Sequence, residues 1–296
     1  MVRVGSTRSP RRLIISADDY GLSRGVNTGI IEASDAGVVT SASMIVNLPG
    51  FNDAVARAGA RPALSLGLHL NLTGGKPLTA APSLTTRETG LFYSLPALIA
   101  HASLGRIDST DVARECAAQL DRMIEFGISP THLDSHRHVH AHPALWPVIL
   151  RVAASRGVSN VRVPIEPLSV NARNWKATLK KTGLLICTRI SRGHVEGNLA
   201  DHFVGLSLQG RRSFAARLFA LIPKLEEGTT ELMTHPGYSD PRPSEHDPYA
   251  SQREEELRTL CSREFRDLLQ RCGIELTSFG NRTPPAPSAR QIGQYR

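Results

Sequence analysis

The stretch RLIISADDYGLSRGVNTGIIEASDAGVVTSASMIVN, residues 12–47, decides the fold. It opens on a short apolar run, RLIISAD, that is typical of a buried strand, and it closes on a second such run, SASMIVN. Between them, Asn27 to Ala36 carries apolar residues at helical spacing and stops at Gly37, a residue that commonly ends helices. The order strand, helix, strand predicts two parallel strands with a helix packed outside them.

The same alternation continues along the chain and indicates a parallel sheet covered by helices. With 296 residues and no GxGxxG after the first strand, the pattern favours an α/β fold of the distorted (β/α)-barrel, TIM-barrel-like kind over an open doubly wound sheet. We expect one domain over residues 12–280 and disordered tails at 1–11 and 281–296. Further helices are predicted over Asn52 to Ala60, Thr110 to Phe126, Ala144 to Arg156, Phe214 to Leu221 and Ser251 to Cys272, and further strands in LSLGLHLNL, THLDSH, NVRVP, TELMTHP and IELTSFG.

Composition argues against several classes of protein. No apolar run approaches the roughly 20 residues that a membrane-spanning helix needs, and no signal-peptide core follows the basic N-terminus, so we expect a cytoplasmic protein. The four cysteines are scattered without a CxxC pair, which indicates reduced thiols. The net charge of +8 forms no basic, aromatic-studded stripe, so no nucleic-acid partner is expected.

Polar side chains that can bind a metal or transfer a proton follow several predicted strands. Asp18 and Asp19 follow the first strand, His69 ends the third, and His136 and His235 follow two later ones. The carboxyl ends of parallel strands open on one face of a barrel, where active sites are built, so these side chains should lie close together. Taken singly, His69 is more simply a structural histidine, and the aspartates fit a helix cap as well as they fit a functional site; the combination favours a site.

The stretch THLDSHRHVHAHP, residues 131–143, holds five of the eleven histidines in the chain. A solvated loop has no need of so many imidazoles, so metal binding or proton transfer is favoured. We interpret THLDS as a strand, which places His136 at its end and His138 and His140 in the following loop as supporting or substrate-binding candidates. A continuous helix would instead place His136 and His140 on one face. Asp134 is either a supporting residue behind the metal ligands or a turn acceptor.

One aspartate and two histidines on convergent strand ends can hold a divalent metal and leave positions open for water and substrate. Such a metal lowers the pKa of bound water and polarises a carbonyl, and a second carboxylate can take the proton of that water. The adjacent pair Asp18-Asp19 could supply both functions. His235, titrating near neutral pH, could protonate a leaving group.

Four motifs in order, ADDYG, GLHLNLT, DSHRHVH and ELMTHPG, resemble those of the YdjC-like carbohydrate deacetylases, and in particular the chitooligosaccharide deacetylases. The resemblance covers about residues 12–280. It implies a barrel-like fold distantly similar to polysaccharide deacetylases, and metal-dependent removal of the N-acetyl group from an amino sugar. It further implies metal ligation by Asp19, His69 and His136, with Asp18 as general base and His235 as acid.

The resemblance also implies a supporting role for Arg162. It points to magnesium as the metal, whereas two imidazoles and a carboxylate suit zinc, manganese, cobalt or iron better; magnesium is the first expectation and zinc the chemical alternative. Tyr20 stands where the family usually has Phe, and Arg137 where relatives often have His, but neither is an implied ligand. The basic segment from Ala172 to Arg212 matches no motif.

Two alternatives stay open at this stage. One is a barrel amidohydrolase that acts on a cyclic amide or lactam, and the other is a non-catalytic sugar- or metal-binding protein on the same scaffold. Asp18 favours an enzyme, because a binding module has no need of a second carboxylate beside the metal ligand. The expected partner is an N-acetylated sugar, and the sequence leaves open whether two copies of the chain form a homodimer.

Overall fold

The structure, a computed structural model, describes residues 10–166, 200–209, 213–239 and 250–281. The strands are β1 (Arg11–Tyr20), β2 (Ser41–Met44), β3 (Ser65–Leu70), β4 (His132–Ser135), β5 (Asn160–Val161), β6 (His202–Val204), β7 (Gly228–Thr234) and β8 (Ile274–Thr277). The helices are α1 (Arg24–Asp35), α2 (Phe51–Ala58), α3 (Leu95–Ser103), α4 (Ser109–Glu125), α5 (Trp146–Ser155), α6 (Phe214–Leu221), α7 (Ala250–Cys261) and α8 (Arg263–Arg271), with 3-10 turns at Pro82–Leu84, His136–Ala141 and Ile222–Lys224.

The strands form one parallel sheet in the order β5-β4-β3-β2-β1-β7-β6, with β8 beside β1. Strand β7 follows one side of β1 over residues 11–17. The other side of β1 is shared, because β8 pairs with residues 11–14 and β2 pairs from Ser16 onward. In the part of the chain that the structure describes, β5 and β6 do not pair with each other, so the sheet is a half barrel. The predicted α/β, distorted-barrel class is confirmed.

Strand β1 is buried from residue 13 to residue 20, and its run of apolar residues 13–15 is typical of a parallel strand that is covered on both faces. Helix α1 begins where the Ser23 hydroxyl accepts a hydrogen bond from the backbone N–H of Val26, at 3.3 Å. It packs Val26 and Ile30 into the continuous hydrophobic core. At the carboxyl edge, the loops that follow β5 and β6 are joined by the backbone N–H of Ser207, which donates to the Glu166 carboxylate at 2.8 Å.

Several predicted boundaries were wrong. The long helix predicted over Ser251 to Cys272 is two helices, because Ser262 caps α8 by accepting a hydrogen bond from the Phe265 backbone at 3.1 Å. Helix α3 and strand β6 were not predicted. Strand β1 already begins at Arg11, inside the expected N-terminal tail, and the remaining tail residues, 1–9 and 282–296, lie outside the described residues, as does most of segment 172–212.

No helix in the described ranges combines the length and the apolar character needed to cross a membrane.

Candidate active site

The structure brings the sequence-predicted site residues together at the carboxyl edge of the half barrel. Each side chain lies at or just beyond the end of a different strand, apart from the adjacent aspartates that end β1. All of them are buried, with no more than 7% of any residue exposed. The set consists of Asp18 and Asp19 at the end of β1, His69 in β3, His136 after β4, Arg162 after β5 and His235 after β7.

A distortion at the end of β1 separates the two adjacent aspartates. The pairing of β1 with β2 shifts register between Ala17 and Tyr20, and Asp19 adopts a φ of 70°. This left-handed conformation is uncommon outside glycine, although aspartate tolerates it better than most residues, and it is typical of functional sites. As a result, the carboxylates of Asp18 and Asp19 have different partners.

Asp19 lies between two histidines. Its Oδ1 oxygen is 3.0 Å from His136 Nδ1 and 3.4 Å from His69 Nε2. One oxygen or nitrogen atom from each of these residues lies within 4.8 Å of the others. Three donors this close together, from an aspartate and two imidazoles, form a set that suits a divalent transition metal.

His69 is oriented by Asp134 on the neighbouring strand. Nδ1 of His69 is 2.6 Å from the Oδ1 oxygen of Asp134, so this nitrogen carries a proton that it donates to the carboxylate. The Nε2 nitrogen therefore faces Asp19. An imidazole that is hydrogen-bonded to a carboxylate on one side and offers its other nitrogen to a cation is a common arrangement in metal sites. Asp134 lies where a supporting residue would lie, and its other oxygen accepts a hydrogen bond from the Ser43 hydroxyl at 2.7 Å.

The electrostatics of this cluster favour a positive charge. Burial opposes a charged imidazole, yet Asp134 and Asp18 together raise the pKa of His69 to about 10. Burial would likewise raise the pKa of Asp19, but the charges of Arg253 and His136 outweigh it and hold this pKa well below its usual range. A proton on His69 would thus offset part of the negative charge of these carboxylates, and a divalent cation held by Asp19, His69 and His136 would take its place.

Arg162 joins four strands at the base of the site. Its guanidinium donates to both oxygens of Asp18, at 2.6 and 2.7 Å. It also lies 2.7 Å from Asp134 and 2.8 Å from Glu231. Burial raises the pKa of Glu231 to about 7, although Arg162 acts against this shift. Arg162 therefore neutralises part of a buried acidic cluster and fixes the orientation of Asp18.

A second group of close metal-competent atoms comprises Asp18, His69 and Asp134. It fits a cation less well, because Arg162 already binds both of these carboxylates and His69 offers Asp134 the protonated nitrogen. Asp19, by contrast, keeps one oxygen facing two imidazoles. The chemistry of the donor set therefore fits a divalent metal at Asp19, His69 and His136.

His235 lies beside this cluster on the turn that follows β7. Its backbone N–H donates to Glu256 at 2.6 Å, and its Nε2 nitrogen is 3.3 Å from the side-chain nitrogen of Gln209. Burial lowers the pKa of His235 to about 4, partly offset by Asp18 and Asp19. This value is lower than the near-neutral titration expected from the sequence, because the imidazole is enclosed rather than at an open barrel mouth.

The two other candidate histidines differ in position. His140 is fully buried behind the site, where its Nδ1 is 2.5 Å from the Ser135 hydroxyl and its Nε2 is 3.0 Å from the Arg162 carbonyl oxygen. It therefore supports the loop and is not placed to touch a substrate. His138 adopts a φ of 57° and packs edge-on against Phe203, with ring centroids 6.2 Å apart.

Sequence reasoning missed three buried residues that bind the candidate site residues. Arg253 on α7 contacts Asp19, Glu231 in β7 contacts Arg162, and Ser43 in β2 contacts Asp134. Glu231 had a usable signal, since an acidic residue inside an otherwise apolar parallel strand needs a buried partner. Arg253 had none, because the helix that carries it is rich in charged residues throughout.

The fold and the site together define a half-barrel α/β scaffold with a candidate metal centre at its carboxyl edge. A crystal structure from Enterococcus faecalis V583, of a protein provisionally assigned to cellobiose-phosphate cleavage, is similar in fold, with a TM-score of 0.74, 25% identity, and coverage of 92% of this chain and 98% of that one. The chain is 35% identical to a carbohydrate deacetylase of Geobacillus stearothermophilus over 91% of its own length and 97% of the relative's. It is 36% identical to a carbohydrate deacetylase of Brevibacillus brevis over 90% and 98% of the two lengths.

Residues 12–271 match the YdjC-like protein family. The chain therefore belongs to the YdjC-like family, as the motifs predicted.

Proposed function

We propose that this protein is a metal-dependent carbohydrate deacetylase that hydrolyses the N-acetyl group of an amino sugar to acetate and a free amine. The observation that carries the proposal is the position of Asp18 beside the buried group Asp19, His69 and His136. A metal-binding site needs only Asp19, His69 and His136, whereas hydrolysis also needs a group that takes a proton from water. The names of the two curated relatives support the same assignment.

Asp19, His69 and His136 would hold the metal. A divalent ion there would lower the pKa of a bound water and polarise the acetyl carbonyl. Two imidazoles and one carboxylate are a donor set that zinc, manganese and cobalt prefer, and magnesium is the ion suggested by family resemblance. Asp134 would keep the Nε2 lone pair of His69 directed at the cation by accepting the proton of Nδ1.

Asp18 would act as the general base. Arg162 fixes its carboxylate through two hydrogen bonds, so the carboxylate keeps one orientation during the reaction. Asp18 would accept one proton from the attacking water while the oxygen of that water bonds to the acetyl carbon. A positioned base of this kind contributes about 10²–10⁴-fold to the rate.

His235 would supply the proton that the leaving amine needs when the carbon–nitrogen bond breaks. Burial leaves the imidazole neutral in the resting site, with a pKa of about 4. The ring would therefore gain its proton within the catalytic cycle, and the carboxylates of Asp18 and Asp19 favour that charged form. Arg162 and Asp134 would support the site without contacting the reacting bond.

An acetate-release assay tests the proposal. The full-length protein is stripped of metal, reloaded with Mg²⁺, Zn²⁺, Mn²⁺ or Co²⁺, and incubated with N-acetylglucosamine, its oligomers and a cyclic amide. We expect metal-dependent release of acetate from at least one N-acetylated sugar, and a release that is slower by about 10²–10⁴-fold with Asp18→Asn. Ring opening of the cyclic amide without acetate release would support the lactam amidohydrolase instead, and tight sugar or metal binding without turnover would support a binding protein.

A further inference from the structure

We infer that Arg253 is a positioning residue of the candidate metal centre. Arg253 binds one oxygen of Asp19 and leaves the other oxygen free to bind a cation. The inference rests on the metal site of the proposed function, but it does not depend on which substrate is cleaved. It assigns a role to a helix that contributes none of the sequence-predicted ligands.

The two oxygens of Asp19 have separate partners. The Oδ2 oxygen accepts a hydrogen bond from the Arg253 guanidinium at 2.7 Å, whereas Oδ1 faces the nitrogens of His136 and His69 at 3.0 and 3.4 Å. Arg253 is only 1% exposed and Asp19 only 2% exposed. A charge-assisted hydrogen bond between two buried groups is strong and holds its geometry, so Arg253 determines which oxygen points toward the histidines.

The same arginine is tied to the turn that carries His235. Its NH1 nitrogen is 3.4 Å from the His235 carbonyl oxygen, and its own carbonyl accepts a hydrogen bond from the Gly237 N–H at 3.3 Å. Gly237 in turn packs so closely on α1 that a Cβ atom added at Gly29 would lie 2.5 Å from its Cα. Both the side chain and the backbone of Arg253 thus bind the turn at residues 235–237, and these contacts hold the guanidinium in place against Asp19.

The positive charge of Arg253 beside Asp19 would lower the affinity of the site for a cation. Like charges repel, and in a buried site this repulsion is poorly screened. Around the site lie five buried carboxyls and two buried guanidiniums: Asp18, Asp19, Asp134, Glu231 and Glu256, with Arg162 and Arg253. Loss of the Arg253 charge would increase the excess of negative charge and free the second oxygen of Asp19. Both changes would strengthen cation binding.

The benefit of Arg253 would lie in reactivity. A carboxylate that donates through one oxygen leaves the cation more electron-poor and leaves a position open for water or substrate, which is what a catalytic site needs. Arg253 would therefore lower the affinity for the metal and raise the reactivity of the bound ion. A purely structural arginine would behave differently, because its removal would disorder the site and weaken metal binding.

The test measures binding of Zn²⁺ and Mn²⁺ to the metal-free, full-length protein by titration calorimetry, for wild type, Arg253→Met and Arg253→Gln. The matched control is Arg258→Met, an exposed arginine on the same helix. We expect each neutral Arg253 variant to bind metal at least about tenfold more tightly, which is what one unit charge beside a divalent ion produces even under water-like screening. The control should bind as the wild type does.

Equal or weaker metal binding in the Arg253 variants would overturn the inference. Arg253→Gln can still donate to Asp19, so it provides the same comparison if Arg253→Met does not fold. If the wild-type protein binds metal and the variants do not bind it more tightly, the inference alone fails. If the wild type binds neither ion, the inference fails, and the metal-dependent proposal fails with it only if Mg²⁺ and Co²⁺ are not bound either. Tighter binding in the variants of a protein that releases no acetate would leave the inference standing and remove the deacetylase proposal.

Discussion

Asp18 and Arg162, which are 144 residues apart in the sequence, form a two-pronged ion pair at 2.6 and 2.7 Å in the buried base of the site. The next residue, Asp19, is paired with a different buried arginine, Arg253, at 2.7 Å. Two adjacent aspartates are thus fixed by arginines from different parts of the chain. As a result, the Asp19 carboxylate faces His69 and His136, whereas the Asp18 carboxylate is bound by Arg162.

Because Asp18 and Asp19 have different partners, removing the charge of each should have a different effect on metal content and turnover. Asp18→Asn should keep bound metal and lose about 10²–10⁴-fold in turnover, because it removes a positioned base and no ligand. Asp19→Asn should lose most of the metal itself. Elemental analysis of both purified variants, alongside acetate release, checks the prediction, and an equal loss of metal in the two variants would mean that their roles have been divided wrongly.

Asp134 provides a graded test of the metal ligands. His69→Ala and His136→Ala should each remove most of the bound metal, whereas Asp134→Asn should weaken metal affinity by about 10–100-fold, because it removes no ligand but weakens the hydrogen bond that orients His69 and raises its basicity. The matched control is Asp121→Asn, which removes a surface carboxylate paired with Arg156. Metal affinity in Asp134→Asn equal to that of the control would show that the hydrogen bond to His69 does not matter for binding.

The sequence predicted the half barrel well because its strands are apolar and its helices periodic. The same reasoning placed Asp19, His69 and His136 at one edge, since parallel strands share the direction of their carboxyl ends. It failed where structure depends on a single cap, as at Ser262, or on a short strand such as β6, whose three residues carry too little pattern.

The electrostatic surroundings of the site were harder to predict. Arg253 reaches Asp19 from a helix 234 residues away in the sequence, and no local pattern marks such a contact. The near-neutral titration expected for His235 was wrong for a related reason, since the pKa of an imidazole depends on how completely the rest of the fold encloses it. Burial lowers that pKa to about 4.

Buried neutral histidines predict that the metal-free protein loses stability in mild acid. Burial lowers the pKa of His132 to about 3 from an ordinary value of 6.5. The unfolded chain therefore binds a proton at this residue near pH 6.5, while the folded protein does not until about pH 3, so the free energy of unfolding falls as pH decreases between these values. His132 contacts the Ser43 hydroxyl at 3.1 Å and stacks on Phe279.

His132→Gln should make this pH dependence shallower. Glutamine can keep a hydrogen bond to Ser43 but does not titrate, so the slope of unfolding free energy against pH between about 6 and 4 should fall by roughly 1.4 kcal/mol per pH unit, the value for one proton. Urea denaturation of the metal-free protein at several pH values measures the slope. A lower stability with an unchanged slope would show that His132 takes up its proton in the folded state as readily as in the unfolded one.

His235 allows the proposed acid to be separated from other roles in one comparison. An amine leaves poorly unless it is protonated, whereas an ester with a good leaving group needs no proton. His235→Ala should therefore retain bound metal, lose turnover of an N-acetyl sugar, and hydrolyse an activated acetyl ester far better than the acetamide. The variant keeps the backbone N–H that donates to Glu256, so the turn itself should persist. If both substrates lose rate by the same factor, His235 stabilises the site or the developing oxyanion and is not the proton donor.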